Sequence, residues 1–185
     1  LVIGTRPDCI NNDLLDYFKE LNQRTFLIVE YGVETCNDAT LRLINRGHDF
    51  DCAKQAIERT ASRGIRVGAH IILGLPGEDE NESLRQAPII SSLPLTTLKI
   101  HQMQIIRGTK LAKMYEEHPF HLYSVDEYIH LIAEYISRLR ADLILERFVS
   151  QSPPELLIAP KWGLKNYEFT HRLNNYMKEH CIKKC

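Results

Sequence analysis

Ile65-Arg66-Val67-Gly68-Ala69-His70-Ile71-Ile72-Leu73 runs straight into Gly74-Leu75-Pro76-Gly77-Glu78, a β-rich apolar stretch that ends in a turn bounded by glycine and proline. Before it, Asp51 to Arg63 carries Ala53, Ala56, Ile57 and Thr60 at helical spacing and stops at Gly64. This helix-then-strand unit recurs in both directions. Strands are expected at Leu1 to Gly4, Phe26 to Gly32, Thr97 to Ile105 and Leu143 to Val149. Helices are expected at Asp13 to Leu21, capped by Asn11 or Asn12, and at Asp38 to Asn45, capped by Asn37. Asn81 to Ser91, interrupted or bent at Pro88, Thr109 to Glu117 and Ser124 to Leu139 follow, the last with a capping box of Ser124 and Glu127. Strands that alternate with helices at this spacing build a parallel sheet with right-handed crossovers, so the expected class is α/β. Beyond Pro153-Pro154 the alternation stops, and a polar helix is expected from about Tyr167 to Lys184.

With 185 residues, 44% apolar and 25% charged, the chain can bury one sizeable core, which excludes a disordered or fibrous protein. Its longest apolar runs, Ala69 to Leu73 among them, fall far short of the roughly 20 residues of a membrane-spanning helix. The opening Leu1-Val2-Ile3-Gly4-Thr5 has no initiator Met and no signal-peptide pattern, and reads as an interior piece of a longer chain. Five cysteines without framework spacing suit a reducing cytoplasm. Net charge is -1, but the residues from Lys161 onward hold six Lys/Arg against two Asp/Glu. Only this tail could attract a polyanion.

In parallel α/β folds, chemistry gathers where strands end. Thr5 and Arg6 follow the first strand, and Gly74, Leu75 and Pro76 the third, where the two glycines would let a flat ligand approach the backbone. Either segment alone also reads as an ordinary turn. Glu30 within an apolar strand needs a partner or a site, because an unpaired buried carboxylate costs several kcal/mol, on the order of 2–7 for polar groups. His70, Lys99 and His101 fall on neighbouring strands, with Lys99, His101 and Met103 on one face by the period of two, which points to a polar cavity. Arg46, beside a helix end, suits the helix dipole equally well. Cys181, Cys185 and His180 offer a partial metal site that no further ligand completes, and Cys9, Cys36 and Cys52 are isolated.

Taken in order, Ile3 to Asp8, Val29 to Thr35, Ile44 to His48 and His70 to Glu78 resemble successive blocks of the radical S-adenosylmethionine (SAM) enzymes. Lys99-Ile100-His101, Arg107-Gly108-Thr109 and Leu157 to Trp162 are similar to a bacterial Fe-S oxidoreductase group related to the elongator catalytic subunit and to oxygen-independent coproporphyrinogen oxidase. The resemblance implies a TIM-type (β/α)6 barrel, partial here because it lacks its first strands. It further implies later βα units in 1–140 and a C-terminal strand and helical extension in 141–185. It also implies a [4Fe-4S] cluster and SAM in the full-length protein, reductive cleavage of SAM to a 5'-deoxyadenosyl radical, and hydrogen abstraction from substrate. An electron donor such as flavodoxin or ferredoxin would supply the reducing equivalent.

By this likeness Glu30 and Glu34 lie near the ribose hydroxyls and Ile72 to Pro76 against adenine. Thr5 and Arg6 lie near the methionine moiety, while His70, Lys99 and His101 are substrate candidates. Glu34 stands where the family commonly has Gln. The family's Cys-x3-Cys-x2-Cys loop is absent, so no residue of this chain is assigned as a metal ligand. The expectation is an inactive fragment, without bound cofactor, of an active enzyme. The alternative is an RNA-binding module or tRNA-modification subunit that uses Trp162, Tyr167, Phe169, Arg172 and Tyr176 in the basic tail. A phosphate-handling barrel without iron is the third reading, but no Gly-rich phosphate loop follows a late strand.

Overall fold

In a computed structural model that describes residues 1–184, five strands form one parallel sheet in the order β1-β2-β3-β4-β6. They are β1 (Val2–Thr5), β2 (Ile28–Glu34), β3 (Arg66–Leu73), β4 (Thr97–Gln102) and β6 (Ile144–Arg147). The helices are α1 (Asn12–Asn22), α2 (Asp38–Leu43), α3 (Phe50–Ala61), α4 (Glu80–Ser92), α5 (Lys110–Glu117), α6 (Val125–Ser137) and α7 (Asn166–Glu179). The caps expected at Asn11, Asn37 and Ser124 form, and Asp49, Asp79 and Thr109 cap three further helices. Asn11, Asn37, Asp49, Asp79, Thr109 and Ser124 each accept a backbone N–H of the first helical turn, and Ser124 and Glu127 close the capping box. Pro88 does not end α4, whose exposed side it occupies.

The period of two divides the sheet into unlike faces. Val29, Tyr31, Val67, Ala69, Ile71, Leu98 and Ile100 point to the helices and form the main core with Leu15, Ala56, Ile57, Ile90 and Ile132. Each is almost fully buried. Between them on the other face stand Gly4, Glu30, Gly32, Gly68, His70, Lys99 and His101, residues too small or too polar for an apolar core. One run of sequence therefore builds the core and the site by turns.

Several expectations need correction. The strand from Thr97 to Ile105 is broken, because after Gln102 the chain leaves the sheet and β5 (Ile105–Ile106) pairs antiparallel with β7 (Leu157–Ala159). The second partner was hidden because β7 is three residues long and carries no alternation. Met103 thus ends the polar face by joining Leu75, Ile105 and the half-buried Ile72 in a second apolar cluster, with α5 packed against it. Strand β6 is also shorter than Leu143 to Val149, and α7 ends at Glu179 rather than Lys184.

A further correction concerns the tail. Phe169 is fully buried and stacks on Trp162 with their planes 8° apart, while the Trp162 indole N–H donates to the Tyr123 carbonyl at 3.1 Å. These rings close the C-terminal segment over α6, and Phe169 cannot stack on a nucleobase. Among the described residues no helix is long and apolar enough to cross a membrane.

Candidate functional site

Glu30 lies on β2 in the middle of the polar face, with Gly68 opposite it on β3. A Cβ built at Gly68 would stand 2.8 Å from Glu30 Cγ and 2.7 Å from Thr97 Oγ1, so glycine leaves the width that the carboxylate occupies. Gly68→Ala is expected to cost about 1–3 kcal/mol through overpacking. Chemical denaturation of the variant checks this, and an unchanged midpoint would contradict the geometry.

Two side chains hold the Glu30 carboxylate. Lys99 Nζ donates to Oε1 at 2.5 Å and His70 Nε2 lies 2.9 Å from Oε2, so β2, β3 and β4 are tied across the face by side chains as well as by backbone. Lys99 also meets Glu146 of β6 at 3.2 Å. Burial by itself would raise the Glu30 pKa, but the hydrogen bonds from Lys99 and His70 outweigh it and leave the carboxyl below its usual range. Glu30 is therefore a held anion rather than a proton donor at neutral pH.

His101 stands beside His70, ring centroids 5.5 Å apart, and its pKa is lowered to about 4, first by burial and then by the charges of Arg147, His70 and Lys99. Its Nδ1 and the Thr97 hydroxyl are buried without a hydrogen-bond partner. Such groups are uncommon in native interiors and mark a place where a ligand or water completes the bonding. The acid sensitivity follows with one sign. An unfolded histidine takes up its proton near pH 6.5 and folded His101 only near 4, so stability falls as pH drops through that window. The depressed Glu30 pKa adds a further loss below about 4.5. Resonances of His101 that stay neutral at pH 5 would bear this out, and titration near 6.5 would refute it.

The remaining candidates occupy the strand ends. Glu34 has φ 67° after the irregularity between Gly32 and Glu34, which folds its carboxylate back over Gly32, 3.3 Å from Arg46. Burial raises the Glu34 pKa, and Arg46 opposes the rise. Arg46 also donates to the Gly32 carbonyl at 2.7 Å. Thr5 and Arg6 end the edge strand β1. The Arg6 guanidinium is spent on Asp8, beside Gly47, and does not reach the Glu30 group.

Gly74 has φ 82°, and a Cβ there would lie 3.0 Å from the Tyr123 ring. Leu75 is buried in the second cluster, while Gly74, Leu75 and Pro76 also line a cavity of about 410 Å³ with Tyr123 and Phe120. Below the turn, Glu78 accepts from Thr35 Oγ1 at 2.5 Å and from Gln86 Nε2 at 3.1 Å, which locks the loop after β3 to the loop after β2.

The structure therefore unites Glu30, His70, Lys99 and His101 and leaves Thr5 and Arg6 apart. Sequence reasoning missed Glu146, although its place between Leu145 and Arg147 in a half-apolar strand puts it on the opposite face from the core. In the sequence Arg46 reads equally well as a helix-end charge. Its salt bridge to Glu34 depends on a strand irregularity that no pattern announced.

Cluster chemistry does not fit these residues. Cys9, Cys36, Cys52 and Cys181 are free and dispersed, and among the described residues no group of three His, Cys, Asp or Glu is placed to hold a metal ion. Cys185, half of the tail pair, lies outside the described residues.

Residues 1–85 match the Radical SAM superfamily and residues 95–179 the Radical_SAM C-terminal domain. The chain is 36% identical over 176 residues to the uncharacterized protein YtqA of Bacillus subtilis (strain 168), covering 95% of this chain and 55% of that protein. It is 30% identical to protein YhcC of Escherichia coli (strain K12), covering 99% and 60%, respectively. With a tRNA uridine(34) acetyltransferase of Methanocaldococcus jannaschii it shares 28% identity over 192 residues, covering 100% of this chain and 34% of that one. The chain thus spans little more than half the length of the first two relatives. The archaeal Methanocaldococcus infernus Elp3 with an N-terminal deletion has the same fold, with TM-score 0.86 at 22% identity, over all of this chain and 42% of that one. Two adjoining domain matches, relatives aligned over nearly the whole chain and a shared α/β architecture agree with the likeness read from the strand ends: the chain belongs to the radical SAM superfamily.

Proposed function

We propose that this chain is the substrate-facing part of a radical SAM enzyme and that the face bearing Glu30, His70, Lys99 and His101 holds the substrate. The observation that carries the reading is that charged face, with Thr97 Oγ1 and His101 Nδ1 left without partners in a sheet whose opposite face is a dense apolar core. Bound SAM would supply a carbon radical able to abstract hydrogen. The chain's own residues fix position and charge. Lys99 and His70 keep Glu30 ionised and in place, neutral His101 offers hydrogen bonding without adding charge, and Gly68 and Gly32 leave the room that the Glu30 and Glu34 carboxylates occupy.

The cluster ligands and first strands of the barrel belong, in this reading, to sequence outside the present 185 residues, so this piece is inactive alone. Free cysteines favour a cytoplasmic setting, and membership of the superfamily calls for an electron donor such as flavodoxin or ferredoxin. A tRNA nucleoside is the preferred substrate over a free small molecule, supported by the relative named as a tRNA uridine(34) acetyltransferase. Mass spectrometry of tRNA nucleosides from cells lacking the gene tests this. Loss of one modified nucleoside, restored by the wild-type gene but not by a Lys99→Met copy, is expected. An unchanged nucleoside profile would overturn the tRNA assignment.

A further inference from the structure

Beyond the C-terminal ends of β4 and β6 lies a cavity of about 570 Å³ that none of Glu30, His70, Lys99 and His101 lines. Its volume falls in the range of small-molecule sites, roughly 300–1,000 Å³. Its floor is built before any ligand arrives. Gln102 exchanges two hydrogen bonds with the Ser150 backbone, at 3.0 and 2.8 Å, and Gln104 donates to the same carbonyl while accepting from Ser152 Oγ at 2.7 Å. These amides hold an irregular loop rigidly enough to shape a pocket.

Leu157, Pro160 and Trp162 supply apolar wall, and Lys161 and Lys165 stand at the rim. No Asp or Glu lines the cavity, and neither lysine forms an ion pair among the described residues. The nearby Glu168 carboxylate accepts from the Lys165 backbone N–H at 2.8 Å and so is turned to the α7 helix end. Two uncompensated ammonium groups over a neutral, partly aromatic chamber favour a ligand with an anionic end and a flat ring. Elsewhere on this chain Lys99 shows the contrast, since its charge is already matched by Glu30 and Glu146.

We infer that this cavity binds a ring-bearing anion, a phosphate monoester or a carboxylate of nucleotide size, through Lys161 and Lys165. Gln102 follows His101 on β4 but by the period of two it turns to the opposite side of the sheet, in register with Leu73, so the pocket is distinct from the polar face. The inference does not depend on iron or SAM.

Trp162 is the only tryptophan of the chain, so its fluorescence reports the pocket directly. Uridine 5'-monophosphate, orotate and uridine are titrated into the purified chain, and the fluorescence is corrected for the absorbance of each probe. Saturable quenching by uridine monophosphate assigns a phosphate ligand and by orotate a carboxylate. Uridine, without the anion, should bind at least about tenfold more weakly. The Lys161→Ala/Lys165→Ala variant should lose about tenfold or more in affinity with unchanged circular dichroism, since both lysines are exposed. A single charge reversal, Lys165→Glu, should weaken binding in the same direction. No saturable response to either anion, or equal affinity in the double variant, would overturn the inference. Binding that persists while the longer protein fails to cleave SAM would refute the proposed radical chemistry and leave this pocket standing.

Discussion

Lys99→Met is expected to lower folding stability by about 2–4 kcal/mol at neutral pH, because it leaves the Glu30 carboxylate buried with His70 as its remaining close partner. The loss falls below that of a fully enclosed pair because Glu30 can give up its charge, and that response has a sign. Without Lys99 the burial of Glu30 acts unopposed by its strongest donor, so the carboxyl pKa moves up from its present depressed position. Urea denaturation gives the stability and carboxyl NMR the titration. The Glu30→Gln/Lys99→Met double variant should recover at least half of the loss, since neither charge is then stranded. A double variant as unstable as the sum of the single ones would show that Lys99 and Glu30 act independently, contrary to their 2.5 Å contact.

Tyr128→Ala should cost about 3–5 kcal/mol. Tyr128 is fully buried on α6, with its ring centroid 5.1 Å from Trp162 and 5.5 Å from Phe169, and its hydroxyl donates to the Phe148 carbonyl at 3.1 Å. One side chain therefore fastens the segment after β6 and α7 to the main core. Its removal should loosen the C-terminal segment first, so Trp162 fluorescence is expected to change at lower denaturant than the far-ultraviolet signal of the sheet and helices. Tyr128→Phe retains the ring contacts and should lose only about 1 kcal/mol. A truncation that leaves the Trp162 transition coincident with the global one, at wild-type stability, would show that Tyr128 does not fasten this segment.

Most of the parallel sheet was legible because its signals are local. Strands such as Ile65 to Leu73 carry β-branched residues between Gly64 and Gly74, and every helix start from α1 to α6 offers a side chain that caps it. The polar face was legible for a related reason: Glu30, His70, Lys99 and His101 break otherwise apolar strands, and the period of two places the last two on one side. What was not legible depends on residues far apart in sequence. The pairing of Ile105 with Ala159 and the burial of Phe169 under Trp162 arise from tertiary packing, and α7 looks polar because only Phe169 and Leu173 are fully inward. Leu75 reads as part of a ligand-facing turn, yet the second cluster buries it, since a turn sequence carries no record of what covers it.

The central claim is that this chain supplies the substrate-facing residues of a radical SAM enzyme whose cluster ligands lie outside it. Iron and sulfide content with the ultraviolet–visible spectrum, measured after anaerobic reconstitution of this chain beside the longer protein, tests it most directly. Cluster absorption and SAM-dependent deoxyadenosine from the longer protein, with neither from this chain, is the predicted result. No cluster and no deoxyadenosine from the longer protein would contradict it.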